Sequence, residues 1–486
     1  MKIGQFCYFG EVGGANKLPT NLNNWINKHT KYKSKFYYSD KKIKKNNFTF
    51  LKTDSLRSSV SNEIYYKYCK QDIGNFSFFK AGINPEQFSE INKLDIIHLH
   101  WINKMLDIND LNYLSSTKPM IITLHDFHLL LGGCHFLKNC KNYLNECLNC
   151  PQVQKKINGA ANQNFKEKKK IFEKNKVIFI HMNEESLKIG KKLYKKNYHE
   201  LIDCTIDVKK FNILKKDKLL KKYNIPNKKK ILVSVCAYES YTKGIWQFEK
   251  LKNKISKDYF FILIGDGFRK IKSEEGRIRN FGQIKHHHQV NELYNVADIA
   301  FSLSLEEGVP GFACEALSSG TPFIGFKNVG NLNRMIKNNF NGNLVNQKDI
   351  KNFAKVIDYS YAEQDKIRSD FIENFDKNFY RKYLSIYKNS KKLTKKNTNI
   401  KNLNLKGFIS QDNSKSKKNT KFDVFFNNLI KNRLEKRKFS FKRVINFKEN
   451  FDTYEGYKKN KIINLIWSRL SDSIKDKIKA KIIENK

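Results

Sequence analysis

The sequence predicts an α/β fold built on parallel sheets, with two domains and a basic C-terminal extension. Three observations carry this. At 486 residues the chain has room for two or three domains, taking about 150 residues each. Near the N-terminus, the apolar run Ile3 to Phe9 leads through Gly10-Glu11-Val12-Gly13-Gly14-Ala15 into a helical stretch ending near Lys28. Much further on, Ala297-Asp298-Ile299-Ala300-Phe301 is followed by a turn, a short helix and a second apolar run, Thr321 to Phe326. Strands that alternate with helices in this way pair in parallel through right-handed crossovers.

Hydrophobic residues make up 40% of the chain, enough for packed cores, and the formal net charge is +46. The charge is unevenly placed. Residues 391–486 hold 27 Lys/Arg against 9 Asp/Glu, an excess of 18 over 96 residues, and the other 390 residues carry the remaining +28. A basic balance fits nucleic acid, an anionic membrane or an anionic substrate. Lys, Asn and Ile are also abundant throughout, so a compositional bias accounts for the charge equally well. No stretch approaches the roughly 18 to 20 apolar residues of a membrane-spanning helix. The N-terminus reads as a strand and turn, not a signal peptide. A cytoplasmic protein is expected, with its nine cysteines as thiols or a metal site.

In chain order, the first unit is a strand, a Gly-rich turn and a helix, which suits phosphate. Phe36 to Tyr38 is a candidate strand, and residues 45–90 show no readable period. Asp95 to Trp101 is a strand ending in polar groups, and Pro119 to Leu124 is another, ending at His125-Asp126. Ligands of open α/β sheets gather at such carboxyl ends. His98, His100, His125 and Asp126 are therefore site candidates, although a lone His is more often structural. Helices are expected over Phe165 to Asn175 and Glu184 to Lys195, with a strand at Val177 to Ile180 between them. Lys230 to Val235 starts a second sheet, Tyr238 to Gly244 leads to a helix, and Phe260 to Ile264 is a strand closed by Gly265-Asp266-Gly267. His286-His287-His288 reads as surface.

The turn Glu307-Gly308-Val309-Pro310-Gly311 opens a helix over about Phe312 to Ser319, which Gly320 ends. Glycine and proline there let the backbone approach a ligand and set a helix start. The free amides and positive dipole end of a helix attract phosphate. Glu307 and Glu315 flank these amides. Carboxylates grip hydroxyls while amides grip charge, so the ligand should carry both.

Cys134, Cys140, Cys147 and Cys150 lie within Gly132 to Pro151, and their closing Cys-x-x-Cys has metal-knuckle spacing. Four thiolates would complete a tetrahedral zinc site, in which His135 could replace one Cys. A disulfide pair or free thiols are the alternatives. Near the end, Ile462, Ile466, Leu470, Ile474, Ile478 and Ile482 recur every four residues opposite a lysine face. This amphipathic helix could dock on its own protein, lie on anionic lipid or bind a partner.

Glu307 and Glu315 with seven residues between them, Gly320-Thr321-Pro322, Val329-Gly330 and Asn341-Gly342 together resemble the signature of family 4 glycosyltransferases. These are retaining nucleotide-sugar enzymes of the GT-B fold, with two Rossmann-like domains facing across a cleft. The resemblance covers about residues 1–390. It implies an N-terminal acceptor-side domain over 1–200, a nucleotide-sugar domain over 201–370 and a helix crossing back over 371–390. A basic linker and helical tail follow over 391–486. Asp207 and Phe211 match the segment that crosses between the domains. By the same resemblance, Gly13, Gly14 and Lys243 face the donor diphosphate. Glu307 and the backbone of Gly308, Val309, Pro310, Gly311 and Phe312 hold the sugar, and Glu315 holds the ribose. His125, in Thr-x-His-Asp, contacts the sugar from the other domain, while His98 and His100 shape the cleft. An Arg usual near Tyr238 is missing, which leaves the phosphate to Lys243, to amides or to another base such as Arg269.

The Gly-Gly-Cys-His…Cys-x-x-Cys-Pro run resembles the subset active in capsule and exopolysaccharide synthesis, of colanic-acid type. The implied function is retaining hexosyl transfer from a nucleotide-diphospho-sugar to a glycan or lipid-linked hydroxyl in surface polysaccharide or lipopolysaccharide assembly. No catalytic metal is expected, a structural zinc would sit on the four cysteines, and the tail would contact the inner face of the plasma membrane. Two rivals are another GT-B enzyme, such as a sugar-nucleotide epimerase, and nucleic-acid binding by the tail. The tail has no nucleic-acid motif and few aromatics among its basic runs, so nucleic acid is the weaker partner.

Overall fold

The computed structural model describes residues 1–10, 14–41, 43, 45–70, 75–227, 229–394 and 420–449, with side chains to residue 435. Met1–Phe422 form one compact unit and Asp423–Lys486 a second, of which a helix ending at Glu449 is described. Gly13 and the candidate amphipathic helix from Ile462 to Ile482 lie outside the described residues. No described helix is long and apolar enough to cross a membrane.

Two parallel sheets build the first unit. The first contains β1 (Lys2–Phe6), β2 (Lys33–Tyr38), β3 (Phe48–Phe50), β4 (Ile96–Leu99), β5 (Met120–Leu124), β6 (Ile178–His181) and β7 (Tyr198–Leu201), in the order β3-β2-β1-β4-β5-β6-β7. The second contains β8 (Lys230–Val235), β9 (Tyr259–Ile264), β10 (Ile278–Asn280), β11 (Ile299–Phe301), β12 (Phe323–Phe326) and β13 (Gly342–Val345), in the order β10-β9-β8-β11-β12-β13. Strand order reverses between β1 and β4, and again between β8 and β11. A crevice forms at the carboxyl ends of strands at such a switch point. The loops after β1, β4 and β5 and those after β8 and β11 are therefore the ones placed to build a site.

The central strands are apolar throughout because helices cover both sheet faces. All five residues of Met120–Leu124 and all six of Tyr259–Ile264 are buried. The helix Phe379–Thr394 returns to the first sheet. Its Phe379, Tyr383, Ile386 and Tyr387 share a core with Ile3, Ile96, Ile121 and Ile178, a spacing that puts all four on one helix face. It follows the helix Gln364–Phe371 and a wide turn over Ile372–Asp376, where a single crossing helix over 371–390 is expected from the sequence.

Other boundaries also move. The unreadable stretch holds β3 and the helix Ser55–Tyr68, whose Asp54 carboxylate accepts the Arg57 amide at 2.9 Å as an N-cap. β7 ends at Leu201, and residues 202–206, which lead to Asp207, run outside the sheet. The helix expected from about Phe312 to Ser319 runs from Gly311 to Ser318.

Candidate active site

The reversals of strand order open onto one cleft of about 700 Å³ between the two sheets' loops. Gly14 and Lys17 line it from the start of the helix Gly14–His29, His125 from the end of β5, Lys243 from the loop after β8, and Glu307 to Phe312 and Glu315 from the turn after β11. The predicted donor-binding residues that fall in the described chain thus converge.

Lys243 ends the short helical turn Tyr241–Lys243, and Gly244 follows at φ 67°. A Cβ on Gly244 would lie 1.8 Å from the Leu303 carbonyl oxygen, so only glycine lets this turn press against the segment after β11. That contact aims Lys243 at Glu307, whose two oxygens accept its ammonium at 2.7 and 2.8 Å. Burial opposes the charge of Lys243, but Glu307, with Tyr238 beside it, overcomes the penalty and holds its pKa above the usual lysine range.

Pro310 precedes the helix Gly311–Ser318. Gly311 N–H donates to the Val309 carbonyl and Ala313 N–H to the Pro310 carbonyl, both at 2.9 Å, and this helix start lines the cleft with its positive dipole end. Glu315 stands one turn in and is 7% exposed. One of its oxygens accepts from Tyr294 at 2.8 Å and the other from Lys17 at 2.9 Å. Glu315 holds the Lys17 ammonium above the usual lysine range, against the opposing effect of burial.

His125 ends a buried polar chain. Its Nε2 is 3.1 Å from His100 Nδ1, and His100 Nε2 is 2.9 Å from Gln5 Oε1. Gln5 donates to the Tyr387 hydroxyl at 3.0 Å, which lies 2.8 Å from His98 Nδ1; His98 Nε2 is 2.8 Å from the Thr123 hydroxyl. The Gln5 amide sets the direction of the chain. Its oxygen requires His100 Nε2–H, so His100 Nδ1 accepts from His125 Nε2–H, and His125 Nδ1 keeps its lone pair. Burial lowers His125 to about 4 and His98 and His100 well below the usual range, so all three imidazoles are neutral at pH 7. His98 and His100 act behind the cleft; the cleft wall is His125.

Asp126, the next residue, centres a second network. It accepts from His135 Nδ1 at 2.7 Å, from Trp101 Nε1 at 2.9 Å and from the His128 ring. Burial opposes its charge, and the two imidazoles overcome this to hold Asp126 well below the usual carboxylate range. His135 Nε2 meets the Ser77 hydroxyl at 2.9 Å. Both nitrogens of His135 are thus engaged, which removes it as a stand-in for a cysteine ligand.

Cys134, Cys140, Cys147 and Cys150 line one small closed cavity, walled by Phe76, Leu131 and Ala161. None forms a disulfide. The ligand atoms that converge within 4.8 Å among the described residues are instead those of Asp126, His128 and His135, which are spent on the hydrogen bonds above.

Arg269 does not reach the cleft: it is 70% exposed and faces Glu239 at 4.0 Å. Lys17 does reach it, and nothing in its local sequence says so, because its partner lies 298 residues away. His287 lines the cleft rim although its ring is exposed.

The fold is GT-B. A share of 80% of the chain aligns with 98% of sucrose-phosphate synthase from Thermosynechococcus elongatus (TM-score 0.56, 15% identity). The same share aligns with all of Anabaena HepE, solved with UDP-glucose (TM-score 0.53, 13% identity). It also aligns with all of the lipopolysaccharide outer core galactosyltransferase WaaB (TM-score 0.51, 15% identity). Residues 215–378, which carry Lys243, Glu307 and Glu315, match the family model of group 1 glycosyl transferases. A comparison with curated protein sequences returns no match. Family match and fold together support a glycosyltransferase.

Proposed function

We propose that this protein is a retaining hexosyltransferase. It moves a sugar from a nucleotide-diphospho-sugar to a glycan or lipid-linked hydroxyl in surface polysaccharide or lipopolysaccharide synthesis. The observation that carries this reading is the pair Glu307 and Glu315 on one cleft wall, bracketing a helix start and facing Lys243. HepE, solved with UDP-glucose, and the lipopolysaccharide enzyme WaaB share the fold and support the substrate class.

In transfer, the anomeric carbon loses its bond to the leaving diphosphate oxygen and gains one to the acceptor oxygen on the same face. The acceptor's proton passes to the leaving phosphate. Positive charge grows on the sugar ring and negative charge on the diphosphate. Lys243 and the amides after Gly308 are fixed where that negative charge develops, so they stabilise the transition state more than the ground state. Glu307 orients sugar hydroxyls, Glu315 the ribose, and the free Nδ1 of neutral His125 accepts a hydroxyl from across the cleft. No catalytic metal is called for in this account.

Cys134, Cys147 and Cys150 are buried and Cys140 half-buried around one small cavity, and the four thiols, drawn closer, would hold a structural zinc. It would crosslink the loop beside the cleft, and this loop ties the reading to capsule and exopolysaccharide enzymes. The enzyme is placed in the cytoplasm, its basic extension on anionic lipid at the plasma membrane.

The test is a panel of nucleotide-sugars scored by thermal shift and by release of nucleoside diphosphate. One donor should raise the Tm of the wild type by several degrees and leave Glu315→Ala unmoved, since a ligand stabilises the state that binds it. Failure of every donor to stabilise folded wild type would overturn the reading.

A further inference from the structure

We propose that Lys17 is an exchange cation for the donor. It neutralises Glu315 while the cleft is empty and turns onto the donor diphosphate when ribose hydroxyls take Glu315. This rests on the nucleotide-sugar reading above.

The argument starts from the occupancy of Glu315. Its two oxygens are held by Tyr294 and Lys17. A ribose diol needs an oxygen freed, so one partner must leave. Tyr294 is fully buried and also packs against Phe312, with ring centroids 5.9 Å apart. The Lys17 side chain is 50% exposed, on a flexible four-carbon stem. Lys17 is therefore the partner that moves. The diphosphate is joined to the same ribose, so a cation released from the ribose carboxylate already lies beside the phosphates.

Charge accounting points the same way. In the empty cleft Lys243 is neutralised by Glu307 and Lys17 by Glu315. Ribose brings no charge to Glu315, whereas the diphosphate brings about two negative charges. The remaining lysines of the cleft are engaged elsewhere: Lys210 pairs with Asp207 at 3.3 Å, and Lys45 sits 4.5 Å over the Phe48 ring. Lys17 is the cation that donor binding itself sets free. It comes from the N-terminal half, so the same side chain would draw that half onto the phosphates. Arg269, the base the sequence offered, stands outside the cleft.

Two probes separate this role from a simple latch between the halves. The first is inorganic pyrophosphate, which carries the charge without a base. The second is the tightest binder among UDP, GDP and ADP, compared with its own nucleoside. Titration calorimetry on wild type, Lys17→Gln and Lys17→Arg reads all of them. Lys17→Gln should weaken the nucleoside diphosphate tenfold or more and leave pyrophosphate nearly unchanged, because pyrophosphate brings no ribose to release Lys17 from Glu315. It should leave the nucleoside unchanged or bound more tightly, because Glu315 no longer has to surrender a lysine. Lys17→Arg should restore diphosphate binding to within a few-fold. Equal weakening of nucleoside and diphosphate, or no weakening of either, would overturn the proposal while the nucleotide-sugar reading stands. Wild type that binds none of the diphosphates would overturn both.

Discussion

Burial works against the charge of Glu306. One of its oxygens accepts the Lys138 amide at 2.6 Å, and the other is buried with no partner among the described residues. Burial pushes its carboxyl up to about 7, with Glu185 adding to the rise and the Lys138 amide opposing it. The folded protein therefore keeps this proton to a higher pH than the unfolded chain does. Stability contributed by protonated Glu306 is fully present below about 4.5 and is lost as pH rises to about 7. Glu306→Gln keeps an acceptor for Lys138 and removes the charge. Its Tm should exceed that of the wild type by a few degrees above pH 7 and converge with it near pH 4.5. Parallel Tm profiles for the two proteins would refute the assignment. The neighbouring Glu307 was legible in the sequence and Glu306 was not, for a physical reason. Glu307 belongs to a spaced pattern, whereas the state of Glu306 is set by the Lys138 backbone and the burial that folding brings.

At the scale of elements, legibility follows burial. β5 and β9 are buried on both faces, so they appear in the sequence as unbroken apolar runs. β7, reading Tyr-His-Glu-Leu, is an edge strand with no fully buried residue, and β3 and β10 are three-residue edges. Edge strands need no apolar run, and their pairing is fixed by the neighbour already in place. The helix Ser55–Tyr68 was hidden similarly, with Val60 and Ile64 buried among polar neighbours. The cysteine loop is the opposite case, since the spacing of its residues singled it out and all four cysteines line one cavity, although the ligand atoms that converge are those of Asp126, His128 and His135. Burial pushes the Cys147 thiol up to about 12, so an empty site would hold neutral thiols, which metal binding must deprotonate. Protein purified without chelator should carry one zinc per chain. Cys150→Ser should lose it, with a Tm lower by several degrees. Elemental analysis that finds neither zinc nor iron would exclude the metal.

At the scale of the whole molecule, polar contacts join the two halves on and beside the cleft. Arg334 pairs with Asp203 at 3.0 Å and Glu184 at 3.2 Å, and Lys17 with Glu315. Asn183 donates to the Gly308 carbonyl at 3.1 Å. Backbone meets backbone at Gly308, where a Cβ would lie 1.8 Å from the His125 carbonyl oxygen. This glycine lets the turn after β11 in one half touch the backbone of His125 in the other. Gly308→Ala should fold, because the turn can retreat as a body into the cleft mouth. It should hold the halves apart by about an ångström, a displacement able to cost about a hundredfold in rate when reacting groups must align. Donor affinity should change by less than about threefold, because Lys243, Glu307 and Glu315 stay together on one half. Water would gain access to the sugar, so the ratio of transfer to donor hydrolysis should fall along with kcat. A kcat and transfer ratio equal to wild type, with Tm unchanged, would show that closure at Gly308 does not govern the reaction. A loss confined to donor affinity would assign the glycine to binding alone.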